Sequence, residues 1–154
     1  MTQGAFSILV VCTANICRSP AGQSVLTAQL AGHPARVESA GTRALDGNGI
    51  DPVMAGLLGQ RGLDAMTTHR SRPIMPVMLG RYDLILCMQD EHLQRTLALY
   101  PTGRGKVRLL GHWSSQQIAD PTGQPVADYL SAFGQIETCA GQWARKLIDM
   151  GMMR

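Results

Sequence analysis

Residues 6–20 read Phe6-Ser7-Ile8-Leu9-Val10-Val11-Cys12-Thr13-Ala14-Asn15-Ile16-Cys17-Arg18-Ser19-Pro20. Phe6 to Val11 is a nearly unbroken apolar run with β-branched members, the pattern of a strand buried in a parallel sheet. Ser19-Pro20 then reads as a helix start, with a hydroxyl at the cap and a proline at the first helical position. The helix follows over Ala21 to Ala31, with Val25, Leu26 and Leu30 at helical spacing.

The same alternation continues outward. Arg36 to Ser39 reads as a second strand, ended by Ala40-Gly41-Thr42. Asp51-Pro52 opens a helix that carries Met54, Leu57 and Leu58 and stops near Gly62; capping accounts for Asp51. Asp83 to Met88 is a third strand, and Glu91 to Tyr100 a helix closed by Pro101 and Gly103. Val107 to Leu110 is the fourth strand, and the polar stretch 111–125 is irregular. A last helix over Val126 to Met150 places Leu130, Phe133, Ile136, Ala140, Trp143 and Leu147 on one stripe, and Met150, Met152 and Met153 read as its frayed tail. This order predicts an α/β doubly wound domain over residues 1–154: a four-stranded parallel sheet with helices on both faces. Ligands of such sheets bind at the carboxyl ends of the strands, here just after Val11, Ser39, Met88 and Leu110.

Composition narrows the class. The chain has 154 residues, 45% hydrophobic and 16% charged, enough to bury a core. Its net charge of +3 is scattered and gives no dense basic stripe, which points away from nucleic acid. No apolar run reaches the roughly 18 residues of a membrane span, and Met1 to Gly4 lacks a basic leader. The expectation is a soluble cytoplasmic protein; no oligomeric state is read from the sequence. Four cysteines do not make a disulfide scaffold, and none is spaced with His as a metal site, so no metal or cofactor is expected.

The loop after the first strand holds Cys12, five residues, then Arg18. With 4 Cys and 12 Arg, chance supplies about 0.3 such pairs, and Cys139 with Arg145 is a second copy inside the last helix. Context separates them. A short loop between a buried strand and a helix start aims successive backbone N–H groups at one point, and the helix end adds partial positive charge. That makes a cradle for a tetrahedral oxyanion formed by Thr13, Ala14, Asn15, Ile16, Cys17 and Ser19. Arg18 supplies a two-pronged clamp, and Cys12 sits at the floor, where these groups favour thiolate over thiol. A thiolate below a bound phosphate ester is placed to attack phosphorus and form a phosphocysteine. The leaving oxygen then needs a proton. Asp120-Pro121 opens no helix, lies on the same sheet edge and is stiffened by its proline, so Asp120 is the candidate acid and, later, base.

These residues resemble the low-molecular-weight protein tyrosine phosphatase family. The resemblance rests on Val10-Val11-Cys12 through Asn15-Ile16-Cys17-Arg18-Ser19-Pro20, on Ser39-Ala40-Gly41-Thr42, on Tyr82 through Met88, and on Asp120-Pro121. It implies a metal-independent phosphomonoester hydrolase with Cys12 as nucleophile, Arg18 as clamp and Asp120 as acid and base. It implies a polar network of Asn15, Ser19, Ser39 and His69, and a reversible disulfide between Cys17 and the nucleophile. The implied substrate is a phosphotyrosine protein, such as a bacterial tyrosine kinase. Four positions depart from the family pattern. Ala14 stands where Gly is usual and would crowd the loop if its φ were positive; Gln23 replaces Glu. Leu45 replaces an aromatic wall of the substrate slot, and Thr122-Gly123 stands where Tyr is common.

Two other readings stay open. A thioredoxin-coupled arsenate reductase would share the cradle and use Cys87 as a relay. A non-catalytic oxyanion or phosphopeptide module would need neither the thiol nor the acid. Arg70 and Arg72 read as a solvated face, and Trp113 as a stand-in for part of the missing wall.

Overall fold

The computed structural model describes residues 4–153; the leader reading at Met1 to Gln3 and the terminal Arg154 lie outside the described residues. Four parallel strands form one sheet: β1 (Phe6–Cys12), β2 (Ala35–Gly41), β3 (Leu84–Cys87) and β4 (Val107–Leu109), in the order β2-β1-β3-β4. The chain leaves β1 for β2 on one side and returns to place β3 on the other. The order therefore reverses at β1, and the crevice beyond the carboxyl end of β1 opens where Cys12 ends the strand.

Alternation along the strands splits the core in two. Ile8, Val10 and Cys12 of β1, with Leu84 and Leu86 of β3, face α1 (Arg18–Gln29), α2 (Pro52–Gln60) and α5 (Val126–Asp149). Leu9, Val11, Ile85 and Cys87 face α3 (Pro76–Leu79) and α4 (Asp90–Leu99). Helices thus cover both faces, as the near-continuous apolar strands require.

Several local readings change. The first helix begins at Arg18, with Cys17 at the cap position and no side-chain cap bond. Ser19 is therefore not the cap; its hydroxyl is used elsewhere, as described below. The short α3 and two 3-10 turns, Pro101–Gly105 and His112–Ser114, carry too little periodicity to be read from sequence. Leu130 is 49% exposed, and the buried stripe of α5 begins at Tyr129 instead. The α5 terminus is not frayed. Gly151, at φ 66°, donates to Ile148 O, and Met152 N donates to Leu147 O at 3.1 Å, a Schellman ending that turns Met153 back into the core. Trp113 packs on Trp143, with ring centroids 5.2 Å apart, and under the Lys146 ammonium. Among the described residues no helix is long and apolar enough to cross a membrane.

Asp51 does more than cap α2. Its Oδ1 accepts from Val53 N at 2.8 Å, while Oδ2 accepts from the Tyr129 hydroxyl at 2.8 Å, tying α2 to α5. Asp51→Ala should cost about 2 kcal/mol and Tyr129→Phe about 1 kcal/mol in urea unfolding. The double variant should lose less than the sum. Full additivity would show that the two groups stabilise the fold independently.

Candidate active site

Cys12 is the last residue of β1 and its side chain is buried, 2% exposed. From Thr13 the backbone leaves the sheet and turns into α1. Its curvature depends on Asn15, whose φ of 58° is left-handed. Ala14 is not among the residues of positive φ, so its methyl group brings no backbone strain there. The loop wraps closely on the end of β2. Thr42 N donates to Cys12 O and Arg43 N to Thr13 O, both at 2.9 Å. Gly41 lies beneath, where a Cβ would come within 2.3 Å of Thr13 O, so glycine is required by the approach itself.

Among the described residues, the backbone N–H groups of Thr13 through Arg18 donate to no protein acceptor. Six consecutive donors at the start of a helix form an anion site by geometry and by dipole. A chain of side-chain hydrogen bonds then places a hydroxyl beside the sulfur. The Asn15 amide donates one hydrogen to Ser19 Oγ at 2.8 Å and the other to Ser39 Oγ at 3.0 Å. Ser39 passes its own hydrogen to Gln23 Oε1 at 2.7 Å. Ser19 Oγ accepts from Asn15 and keeps its own O–H, which must be the donor to Cys12 Sγ, 3.0 Å away, whenever the sulfur is a thiolate.

The other side of Asn15 is held equally. Its Oδ1 accepts from Arg72 N at 3.0 Å, and its carbonyl accepts from His69 Nε2 at 2.7 Å. His69 therefore carries its hydrogen on Nε2, and burial lowers its pKa below the usual histidine value, with Arg70 and Arg72 acting the same way. The His69 position implied by the resemblance is thus part of the network. Arg72 is partly exposed but tied down: its guanidinium donates to Ser39 O, to Glu38 at 3.0 Å and to the Tyr82 hydroxyl.

Arg18 is 2% exposed. Its Nη1 donates to Gln89 Oε1 at 2.6 Å and to Ile118 O at 2.8 Å; its Nη2 lies 3.3 Å from Thr13 Oγ1 and 3.8 Å from Asp120 Oδ2. Thr13 Oγ1 is also bonded to His92 Nε2 at 2.8 Å. His92 Nδ1 accepts from Gln89 N, so the neutral ring bears its hydrogen on Nε2 and donates to Thr13. Burial, then the Arg18 charge, holds the His92 pKa down to about 4. Gln89 and His92 were not among the residues expected from sequence. Their signal was there: a Gln-x-x-His spacing at the start of the helix that follows β3.

Asp120 is 48% exposed and sits in the loop after β4. Its Oδ1 accepts from Thr122 N at 3.0 Å, and Gly123 N donates to the Tyr129 hydroxyl, which tethers the loop to α5. A narrow cleft over the sulfur is lined by Cys12, Ala14, Ile16, Cys17, Arg18, Asp120 and Thr122. Leu45 is 73% exposed and does not line it, nor does Trp113. Both were expected as walls; the loop after Arg43 carries Leu45 outward, and Trp143 holds Trp113. Cys17 does line the cleft, its pKa pushed up to about 12 by burial first and by the Asp51 charge second. Cys87 is also pushed up to about 12, by burial, and touches Thr96.

Asn15→Gly keeps access to the left-handed backbone and deletes the amide. We expect a loss of about 2 kcal/mol or more in urea unfolding, because buried Ser19 and Ser39 lose their shared partner. A loss under about 0.5 kcal/mol would mean that only backbone freedom matters at this position.

Comparison with known proteins agrees with this geometry. The family model described as "Low molecular weight phosphotyrosine protein phosphatase" matches residues 7–150. The low molecular weight protein-tyrosine-phosphatase Etp of Escherichia coli K12 is 37% identical over 142 residues, 92% of this chain and 94% of that protein. Among solved structures, Vibrio vulnificus Wzb in complex with benzylphosphonate superposes with a TM-score of 0.88 at 34% identity, covering 94% of this chain and all of the other. The YwlE arginine phosphatase from Geobacillus stearothermophilus reaches a TM-score of 0.86 at 30% identity, with 96% of each chain covered. With a match across nearly its whole length, the chain belongs to the low molecular weight phosphotyrosine protein phosphatase family.

Proposed function

We propose that this cysteine-based phosphatase hydrolyses phosphotyrosine through Cys12, Arg18 and Asp120. The observation that carries the assignment is the Cys12 sulfur beneath six unpaired N–H groups, with the Ser19 O–H 3.0 Å away. The phosphoryl oxygens take the loop N–H groups and the Arg18 guanidinium. The Cys12 thiolate attacks phosphorus in line; the S–P bond forms as the P–O bond to the phenol breaks. Asp120 gives its proton to the departing oxygen. In the second half Asp120 takes a proton from water, the hydroxide attacks phosphorus, and the S–P bond breaks to return thiolate and inorganic phosphate. The Ser19 O–H stabilises the sulfur each time it carries charge.

Substrate preference follows from the walls. Ala14 and Ile16 give the cleft apolar sides that suit a phenyl ring, whereas a phosphorylated guanidinium brings several N–H donors that need acceptors. A phosphotyrosine protein is the substrate class, and a bacterial tyrosine kinase the first protein to try. The thiolate chemistry fits a reducing cytoplasm. Arsenate reduction is disfavoured because Cys87, the one relay position considered, is fully buried and held as thiol. A pure binding module leaves the half-exposed Asp120 beside the sulfur without a role.

The test is p-nitrophenyl phosphate hydrolysis near pH 5.5, without added metal. Cys12→Ser should abolish turnover and keep phosphate binding. Asp120→Asn should slow phenyl phosphate by about 100-fold and p-nitrophenyl phosphate less, since the better leaving group needs the proton less. Equal slowing would remove Asp120 as the acid. Phosphotyrosine should exceed phosphoarginine in kcat/KM by about tenfold or more; the reverse order would reassign the substrate.

Cys17 shares the cleft with Cys12, and its thiol stays protonated until Cys12 is oxidised. A Cys12 sulfenic acid can then condense with the Cys17 thiol, forming the S–S bond and releasing water. Peroxide-inactivated protein should recover fully with dithiothreitol, and Cys17→Ser should recover far less. Equal recovery would exclude Cys17 as the protecting thiol.

A further inference from the structure

Beside the cysteine loop lies a recess of about 560 Å³ that the mechanism above does not use. Thr13, Thr42, Arg43, Glu91 and Arg95 line it. Thr13 belongs to both the cysteine loop and the recess, so the two are contiguous.

The recess is built from elements pinned to the active loop. Arg43 N donates to Thr13 O, and Thr42 N to Cys12 O. The His92–Thr13 bond fastens the first turn of α4, which carries Glu91 and Arg95 one turn apart. The backbones bearing both guanidinium groups therefore keep a fixed distance from the sulfur. Neither Arg43 nor Arg95 forms an ion pair among the described residues. Glu91 is the one acid in the lining, and its carboxylate lies 3.6 Å from His92 Nε2. His92, with a pKa held to about 4, brings no positive charge at working pH, and its one ring N–H is already given to Thr13. Asp46 and Asp90 belong to the same two elements but do not line the recess. The balance inside is two positive charges against one negative.

We propose that this recess is a second anion subsite, which holds a carboxylate or phosphate group of the substrate polypeptide while its phosphotyrosine occupies the Cys12 loop. The inference rests on the phosphotyrosine reading and deepens it. An exposed arginine pair is hydrated and screened, so the subsite adds selectivity for acidic sequence context rather than tight binding. Two sources offer the same chemistry: Asp or Glu side chains near the phosphotyrosine, or a second phosphotyrosine in the same segment. Planar guanidinium groups match either, and a phosphate dianion gains more than a carboxylate.

The test compares three phosphotyrosine peptides, one with neutral flanks, one with acidic flanks and one with a second phosphotyrosine, alongside p-nitrophenyl phosphate. At low salt, the wild type should show a kcat/KM about fivefold to tenfold higher for the acidic and doubly phosphorylated peptides than for the neutral one, carried by KM. Salt at about 0.5 M should remove most of that gap. Arg43→Ala/Arg95→Ala should remove it at low salt, with the neutral peptide and p-nitrophenyl phosphate unchanged. Glu91→Gln should widen it. A preference shown only by the doubly phosphorylated peptide assigns the subsite to phosphate; one shared with the acidic peptide assigns it to anions in general. No preference in a wild type that hydrolyses p-nitrophenyl phosphate overturns the subsite alone. The same loss on all four substrates in the double variant also overturns it, since that marks a structural role. A wild type inert toward p-nitrophenyl phosphate overturns the phosphatase reading and the subsite with it.

Discussion

A buried arginine organises this molecule. The Arg18 guanidinium is 2% exposed, and the nearest carboxylate oxygen is 3.8 Å away, beyond hydrogen-bond distance. Removing such a charge from water costs several kcal/mol unless the surroundings compensate. Here compensation comes from neutral oxygens: Gln89 Oε1, Ile118 O and Thr13 Oγ1. They follow β3, β4 and β1 in the chain, so three strand ends must converge on one side chain. The sheet order β2-β1-β3-β4 puts those three strands next to one another. Neutral acceptors satisfy the N–H groups but leave the charge in place, and the half-exposed Asp120 at 3.8 Å offsets it only in part, so the loop still favours an anion.

Asn15 performs the matching task for the sulfur. A left-handed residue is needed to bend six N–H groups toward one point, and glycine would serve for that alone. The amide adds direction. By donating to Ser19 Oγ, it holds the serine hydroxyl beside Cys12 with its own hydrogen free for a thiolate. One side chain thus sets both the curvature of the cradle and the stabilisation of the leaving thiolate. That coupling explains why the surrounding shell is so fully bonded, through Ser39, Gln23, His69 and the Arg72 backbone.

The legible part of the design was local. Phe6 to Val11, the Cys12–Arg18 loop and Asp120-Pro121 could be read because each declares its chemistry within a few residues. So could β1 and β3, whose apolar runs match burial on both faces, while β2 and β4 are partly exposed edge strands. The partners of Arg18 could not, since Gln89 and Ile118 lie 71 and 100 residues away and become neighbours only through sheet order. Arg72 misled for the same reason: its acceptors come from β2 and Tyr82, so a charge that looks solvated in sequence is tied down in space. Ser19 misled by having two competent uses. Hydroxyl followed by proline fits a helix cap, but the hydroxyl instead lies 3.0 Å from the sulfur and the helix starts earlier. Leu45 was placed by family pattern alone, and no contact of its own draws it into the cleft.

The position of Asp120 reconciles two opposing demands. A proton donor must stand close to the clamp, because the leaving oxygen departs from the phosphoryl group that the clamp holds. Yet a carboxylate hydrogen-bonded to Arg18 would occupy both groups, and here the pair stays loose, at 3.8 Å. The structure meets both demands by tethering. Thr122 N holds Oδ1, Pro121 stiffens the turn, and Gly123 N binds the Tyr129 hydroxyl, itself anchored to Asp51. Asp51 N in turn donates to Ile16 O at 2.7 Å, within the cysteine loop. The acid and the cradle are therefore linked through a chain of hydrogen bonds that bypasses Arg18. The tether through α2 and α5, elements with no chemistry of their own, thus holds the acid near the sulfur without a direct hydrogen bond between Asp120 and Arg18.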